Sequence, residues 1–136
     1  MKLLDEIKDI INQYNLTPLI LPDGYKNVYQ YINDNPKALD EFKSEISDSE
    51  LYLKYKKYIP KGWYGFDIGQ PIISSWSVII DKILEICVIN DNDFEIHQIK
   101  LKFGGIRFYV QSNAIEDIFE IDDYIENNLY DEALIY

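Results

Sequence analysis

Apolar residues recur at intervals of three and four along several segments, and this spacing predicts amphipathic helices. The first predicted helix runs from about residue 2 to residue 14, with Leu3, Leu4, Ile7, Ile10, Ile11 and Tyr14 on its apolar side. A short helix is predicted around 25–32, and a third begins where Asn35 and Pro36 supply a cap and a first helical residue. Ser47 caps a fourth, whose acidic start and basic end suit the helix dipole.

The broadest apolar stripe belongs to a helix that begins near Ser74 or Ser75. We predict this helix to be the central one, with inner positions at Trp76, Ile79, Ile80, Ile83, Leu84 and Cys87. Asn113 and Glu116 have the spacing of a capping box, which predicts that the last helix starts there. We therefore expect about five helices.

Between the central and last helices the pattern changes to alternation, which is typical of β-strands. The alternating stretches are 94–103 and 106–110, and Gly104 and Gly105 separate them. Glycine adopts positive φ readily, so these two residues predict a tight hairpin turn. The turn sets a register in which six apolar side chains share a buried face, in the pairs Phe103–Ile106, Leu101–Phe108 and Ile99–Val110.

These patterns predict an α+β fold, with about five helices packed on a small antiparallel sheet built around the hairpin at 94–111. A lone hairpin is marginal in water, so a third strand or firm helix packing is required, and 16–21 and 64–68 are the candidate strands. The chain has 136 residues, the length of one ordinary domain. No repeat or low-complexity linker divides it, and we therefore treat 1–136 as a single domain.

The outer face of the predicted hairpin collects cations. Lys100, Lys102 and Arg107 project there together with Tyr109, because successive strand residues point to opposite sides. In the predicted register Lys102 lies across from Arg107, and like charges in that position destabilise a sheet. Three explanations stay open: acidic residues of the same chain cover this face, water solvates it, or an anionic ligand or acidic partner surface binds there.

The overall charge makes this cluster unusual, because the chain has 24 acidic and 13 basic residues and a net charge of −11. Such a charge opposes direct contact with long nucleic acid or with an anionic membrane. It favours a basic or mixed-charge protein partner, while the local cations leave room for a small anionic ligand. The predicted acidic partner surface consists of Glu116, Asp117, Glu120, Asp122, Asp123 and Glu126.

Aromatic residues are the second candidate for binding and make up 15% of the chain. Large aromatic side chains anchor many protein interfaces by filling a pocket on the partner. The candidate anchors lie in and after the fourth predicted helix: Tyr55, Tyr58, Trp63 and Tyr64.

Signals for catalysis and cofactors are weak. The single cysteine, Cys87, and the single histidine, His97, fall on different predicted elements. We therefore predict neither a thiol nucleophile nor a zinc site, and expect no catalytic residue, metal or cofactor. The chain contains no apolar run that would span a membrane, and acids interrupt its first segment where a signal peptide would be apolar. A cytoplasmic location is predicted.

Two motifs give the chain a resemblance. Gly62-Trp63 precedes the helix with Trp76 and Ile79-Ile80, and Gln98-Ile-Lys-Leu-Lys-Phe-Gly-Gly-Ile-Arg-Phe-Tyr109 follows it. This combination resembles a group of small phage and prophage proteins of uncharacterised function, with a Gly-Trp motif, a helix and an Ile-Lys-x-Lys-Phe-Gly-x-Leu-Arg-Phe-Tyr hairpin. The resemblance covers 60–111 and implies a phage or mobile-element origin, without a reaction.

These features predict a small acidic binding protein that acts by occupying a partner protein, as inhibitors, anti-defence proteins and immunity proteins do. Electrostatic steering would bring it to a basic site, and aromatic anchors would hold it there. The alternative is a module for a nucleotide or short RNA, in which the basic hairpin face holds phosphates and an aromatic ring stacks on a base. An enzyme of unknown class is the third interpretation.

Overall fold

A computed structural model of the chain describes residues 2–13, 23–26, 28–37, 46–69 and 76–129. The α-helices within these residues are α1 (Leu3–Gln13), α2 (Val28–Asp34), α3 (Asp48–Tyr55), α4 (Trp76–Asn90) and α5 (Ile118–Asn128). The strands are β1 (Gly65–Asp67), β2 (Glu95–Lys102) and β3 (Gly105–Gln111), and a 3-10 turn at Lys56–Tyr58 follows α3. The predicted α+β class is confirmed.

The described strands form a mixed sheet in the order β1-β2-β3. β2 and β3 pair antiparallel, whereas β1 runs parallel to β2 with Gly65 opposite Gln98. A strand is therefore present within 64–68, but the expectation of a purely antiparallel sheet was wrong. Parallel neighbours need a long crossover connection, and the segment that contains α4 provides it. The other candidate strand, 16–21, lies outside the described residues.

The hairpin turns one residue earlier than predicted. Phe103 and Gly104 occupy the turn with φ of 52° and 77°, and Gly105 is already the first residue of β3, paired with Lys102. A turn of this kind needs positive φ at both central residues, which the glycine pair alone would satisfy most easily. The register therefore follows the burial of the strands and not the preference of the turn.

The predicted strand pairs were wrong for the same reason. Leu101 lies opposite Ile106, and Ile99 lies opposite Phe108. From Ile106 to Tyr109, each residue of β3 thus faces a β2 residue two positions earlier than predicted, and Val110 faces Ile96 instead of Ile99. Because side chains alternate with a period of two, a shift of two positions leaves them on their predicted faces. The exception is Phe103, which leaves the inner face for the turn.

A bulge in β2 changes the alternation near the start of that strand. His97 and Gln98 together face Tyr109, while Ile96 pairs with Val110. Both Ile96 and Ile99 are buried although they are three residues apart. An extra residue of this kind lets one strand turn its next side chain back to the core, so His97 and Gln98 both face outward.

The core is a cluster around α4. The predicted stripe on this helix is buried throughout, and it packs with Ile96 and Ile99 of β2, Phe108 of β3 and the inner side of α5. Cys87 is part of this cluster, and burial raises the pKa of its thiol to about 12. The cysteine is therefore the buried, unreactive residue that its neighbours predicted.

Two predicted helix starts have different outcomes. Ser47 accepts a hydrogen bond from the backbone N–H of Glu50 at 3.2 Å, so the predicted cap of α3 is confirmed. The capping box at Asn113 and Glu116 was wrong, because α5 begins only at Ile118. The helix predicted after Asn35 lies mostly in 38–45, and the Ser74 and Ser75 cap in 70–75, both outside the described residues. None of the described helices has the length and apolar character needed to cross a membrane.

Candidate functional site

The three cations of the hairpin share its outer face with one tyrosine. We call this surface the cationic face, and it consists of Lys100, Lys102, Arg107 and Tyr109. Lys100 and not Lys102 lies directly opposite Arg107, so the predicted pair was wrong although the face was right. The Lys100 Nζ lies 5.9 Å from the centroid of the Tyr109 ring, and the Lys102 Nζ lies 5.6 Å from that of Phe103. Each lysine therefore adjoins an aromatic ring on this side of the sheet.

No carboxylate of the described residues forms an ion pair with Lys100, Lys102 or Arg107. Asp67 of β1 is the register partner of Lys100, but it makes no ion pair with this lysine. The opposed cations of β2 and β3 thus stay next to each other without a neutralising group in the described part of the chain. This arrangement is unfavourable by itself and suits the binding of an anion.

A stacked pair of rings continues the cationic face toward the start of β2. The rings of Trp63 and His97 are 4.2 Å apart between centroids and only 3° from parallel. The His97 Nε2 lies 3.2 Å from a carboxylate oxygen of Glu95. About half of the Trp63 surface stays exposed. The sequence had no signal for this pair, because the bulge that turns His97 outward depends on the strand register.

A second surface, which we call the aromatic groove, lies between α3 and β1. Its volume is about 370 Å³, and its lining residues are Asp48, Ser49, Tyr52, Leu53, Tyr64 and Phe66. Gly65 has a φ of 75°, and a Cβ there would lie 2.8 Å from the Ile59 Cδ1. Glycine therefore lets β1 approach the residues after α3 closely enough to form one wall of the groove.

The predicted aromatic anchors divide into two classes. Trp63 and Tyr64 are exposed, whereas Tyr55 is buried, and its hydroxyl donates to the Asp81 carboxylate at 2.6 Å. Tyr58 is half-buried against the core. Tyr55 is thus a core residue and not an anchor. Sequence reasoning overlooked Leu53, although an apolar residue on the polar side of a predicted helix was a usable signal.

The residues of the predicted acidic partner surface do not act as one surface. The buried carboxylate of Asp117 accepts the backbone N–H of Leu4 at 2.9 Å and thereby caps α1. Glu120 pairs with Lys2 at 3.4 Å. Glu116 and Asp123 are exposed, while Asp122 and Glu126 are partly buried beside each other. Of the six residues, Asp117 is therefore a structural cap, Glu116 precedes α5, and the other four lie on more than one side of that helix.

Asp122 is the described carboxyl group with the most perturbed acidity. Burial, with the neighbouring carboxylates of Glu126 and Asp123, raises the pKa of Asp122 to about 7. A proton held by one of the two side chains lets Asp122 and Glu126 share a hydrogen bond one helical turn apart. The charge on this part of α5 thus changes with pH close to neutrality.

We expect the free energy of unfolding to decrease as pH rises from about 4 to about 7. In that interval the unfolded chain has lost the Asp122 proton, since the ordinary pKa is 3.8, but the folded chain still holds it. Asp122→Asn should flatten this dependence. The exposed Glu116 is not among the groups that raise the Asp122 pKa, so the control Glu116→Gln should retain it. Urea titrations across this pH range measure both, and an unchanged slope in Asp122→Asn would contradict the assignment.

The described residues offer few groups for chemistry. They contain no set of three His, Cys, Asp or Glu side chains placed to hold a metal ion. Ser112 donates to the Asp91 carboxylate at 2.5 Å and accepts the Ile115 N–H, so its hydroxyl belongs to a structural network. Comparison of the chain with protein-family models, curated proteins and solved structures finds no match.

Proposed function

We propose that this protein acts by occupying a partner protein through the aromatic groove, in the manner of an inhibitor, an anti-defence protein or an immunity protein. The observation that carries the proposal is the exposure of the groove's apolar walls, with Tyr64 at 76%, Leu53 at 66% and Tyr52 at 48%. Single exposed apolar residues are ordinary, but three that line one groove are typical of a binding surface.

The charges near the groove favour a basic or mixed-charge partner. Asp48 lines the groove, and the exposed Glu50 follows the lining residue Ser49 in the same helix. The net charge of −11 adds a field that attracts a basic surface from a distance. A matching partner segment would place an apolar side chain in the groove and a lysine or arginine beside it.

Contacts within the protein hold the groove in place before a partner arrives. The Asp48 carboxylate accepts the backbone N–H groups of Ile68 at 3.0 Å and Gly69 at 2.9 Å, which ties α3 to the end of β1. On the other side of α3, Lys54 pairs with Asp81 at 2.9 Å and with Glu85. A surface that is already ordered loses less conformational entropy on binding, which favours affinity.

Selection from a displayed library of random peptides tests this function, because it samples many partner sequences at once. We expect the protein to enrich peptides that combine a large apolar residue with lysine or arginine. The double variant Leu53→Ser/Tyr64→Ser should weaken binding of the enriched peptides at least about thirtyfold, as loss of interface anchors does. Phe119→Ser is the matched control, because Phe119 is similarly exposed but lies on α5.

Salt dependence tests the electrostatic part of the proposal. Affinity for the enriched peptides should fall as salt rises from about 0.01 M to about 1 M, since the Debye length shrinks from about 30 Å to about 3 Å. Enrichment of acidic peptides, or equal losses in the groove variant and in Phe119→Ser, would overturn the assignment. An affinity that does not change with salt concentration would contradict the proposed electrostatic steering.

A further inference from the structure

Aromatic and cationic side chains lie side by side along the outer face of the hairpin and form what we call the strip: Trp63, Lys100, Lys102, Phe103, Arg107 and Tyr109. Trp63 stacks on His97 at one end, and Phe103 stands at the hairpin tip at the other. The strip lies on a different part of the sheet from the groove, so an inference from it does not rest on the proposed function.

Phe103 is the feature that points to a ligand at the tip. It is 86% exposed, and it adopts a φ of 52°, which a bulky L-residue seldom does. Asparagine or glycine would fit this turn position with less strain and would expose no apolar ring. Strained residues persist mostly where they contribute to binding or catalysis. The exposed ring next to Lys102 therefore has the character of a contact residue.

The cations of the strip have no counter-charge among the residues that the structure describes. Lys100 and Arg107 are directly opposed across the strands, and no described carboxylate pairs with either. In a protein with a net charge of −11, three such cations on one face concentrate the local attraction for anions. Phosphate groups accept hydrogen bonds from lysine and arginine strongly, and arginine binds them in a bidentate manner.

We propose that the strip binds a short single-stranded oligonucleotide. Bases stack on the exposed rings of Trp63, Tyr109 and Phe103, and the cations between the rings hold the phosphates. From His97 to Phe103 the strand spans about 20 Å, at about 3.3 Å per residue, which provides places for about three nucleotides, one for each ring. A longer strand would extend over the acidic remainder of the protein and gain little.

Fluorescence anisotropy with labelled uridylates tests the inference through the dependence on length. Affinity should rise steeply from uridine monophosphate to the trimer. Up to about eight nucleotides it should then increase only in proportion to the number of registers that a three-nucleotide site has on the longer oligomer, because about three nucleotides fill the strip. Thymidylate oligomers should bind with similar affinity, since base stacking does not depend on whether the sugar is ribose or deoxyribose. The logarithm of the affinity should fall with the logarithm of salt concentration with a slope of about −2, which is about 0.7 for each of three cations.

Variants separate the strip from general surface charge. Arg107→Gln should weaken trimer binding about tenfold and reduce the salt slope by about 0.7. Lys56→Gln removes an exposed cation that is not part of the strip and should change neither. Phe103→Asn should weaken binding while raising the melting temperature, a combination that a purely structural role of this residue would not produce.

Several results would overturn the proposal. These are no binding of any oligomer, affinity per register that keeps rising beyond the trimer, or equal effects of Arg107→Gln and Lys56→Gln. Tighter binding of a glutamate oligomer than of the uridylate trimer would assign the strip to an acidic protein instead. The groove variant Leu53→Ser/Tyr64→Ser should bind the trimer like the parent, so failure of this inference and failure of the proposed function are distinguishable.

Discussion

Phe108→Ala is expected to lower the free energy of unfolding by about 3–5 kcal/mol, the usual loss for a large aromatic side chain deleted from a core. Phe108 has no exposed surface and lies opposite Ile99 on the inner face of the hairpin. The truncation removes apolar burial and leaves a cavity in the core that close-packed neighbours fill only in part. Urea denaturation at a fixed pH measures the loss as a shift of the midpoint.

The adjacent residue provides a matched control, because Tyr109 lies in the same strand but on the opposite face. Its side chain is 40% exposed and adjoins Lys100. Tyr109→Ala should therefore lower the free energy of unfolding by less than about 1 kcal/mol, which is within the range of a single cross-strand contact. The same variant should weaken oligonucleotide binding. Similar stability losses for the two variants would contradict the assignment of inner and outer faces.

The second large loss is expected from Asp91→Ala, at about 2–3 kcal/mol. Asp91 is buried between the end of α4 and the start of β2. Its carboxylate accepts the Ser112 hydroxyl at 2.5 Å and the backbone N–H of Asp93 at 2.9 Å. Alanine would leave both donors without this acceptor, and hydrogen bonds to a buried charged group are among the stronger ones.

Two further variants show whether the loss comes from this network. Asp93→Ala removes a nearby exposed carboxylate and should have an effect within about 0.5 kcal/mol. The stability loss in Ser112→Ala should fall between those in Asp91→Ala and Asp93→Ala, since this variant removes the link to Asp91 and the acceptor of the Ile115 N–H. Thermal and urea unfolding measure all three, and a loss in Asp91→Ala no larger than that in Asp93→Ala would refute the structural role.

The cationic face was predictable although the strand pairing was not. Alternation places Lys100 and Lys102 on one side of β2, and Arg107 joins them in any register that differs from the predicted one by an even number of residues. The pairing follows the burial of the strands, which puts Phe103 and Gly104 in the turn positions expected of two glycines. From Ile106 to Tyr109 the predicted register was wrong by two residues, which is an even number, so these side chains lie on their predicted faces.

The groove and the Trp63–His97 stack could not be derived in the same way. Which tyrosine of α3 is buried depends on how this helix lies against α4 and β1, and the structure buries Tyr55 while it leaves Tyr52 at the surface. His97 faces outward because β2 has a bulge opposite Tyr109. Both features arise from contacts between segments that are far apart in the chain.

Local patterns in the chain are therefore enough to identify the α+β class, the buried stripe of α4, the Ser47 cap and the two faces of the hairpin. These properties depend on period and on neighbouring residues, which every short segment carries with it. The parallel addition of β1, the register, the buried role of Asp117 and the grouping of Trp63 with the cations came from packing. Packing is a compromise among distant side chains that compete for one core, and no short segment contains the information to resolve it.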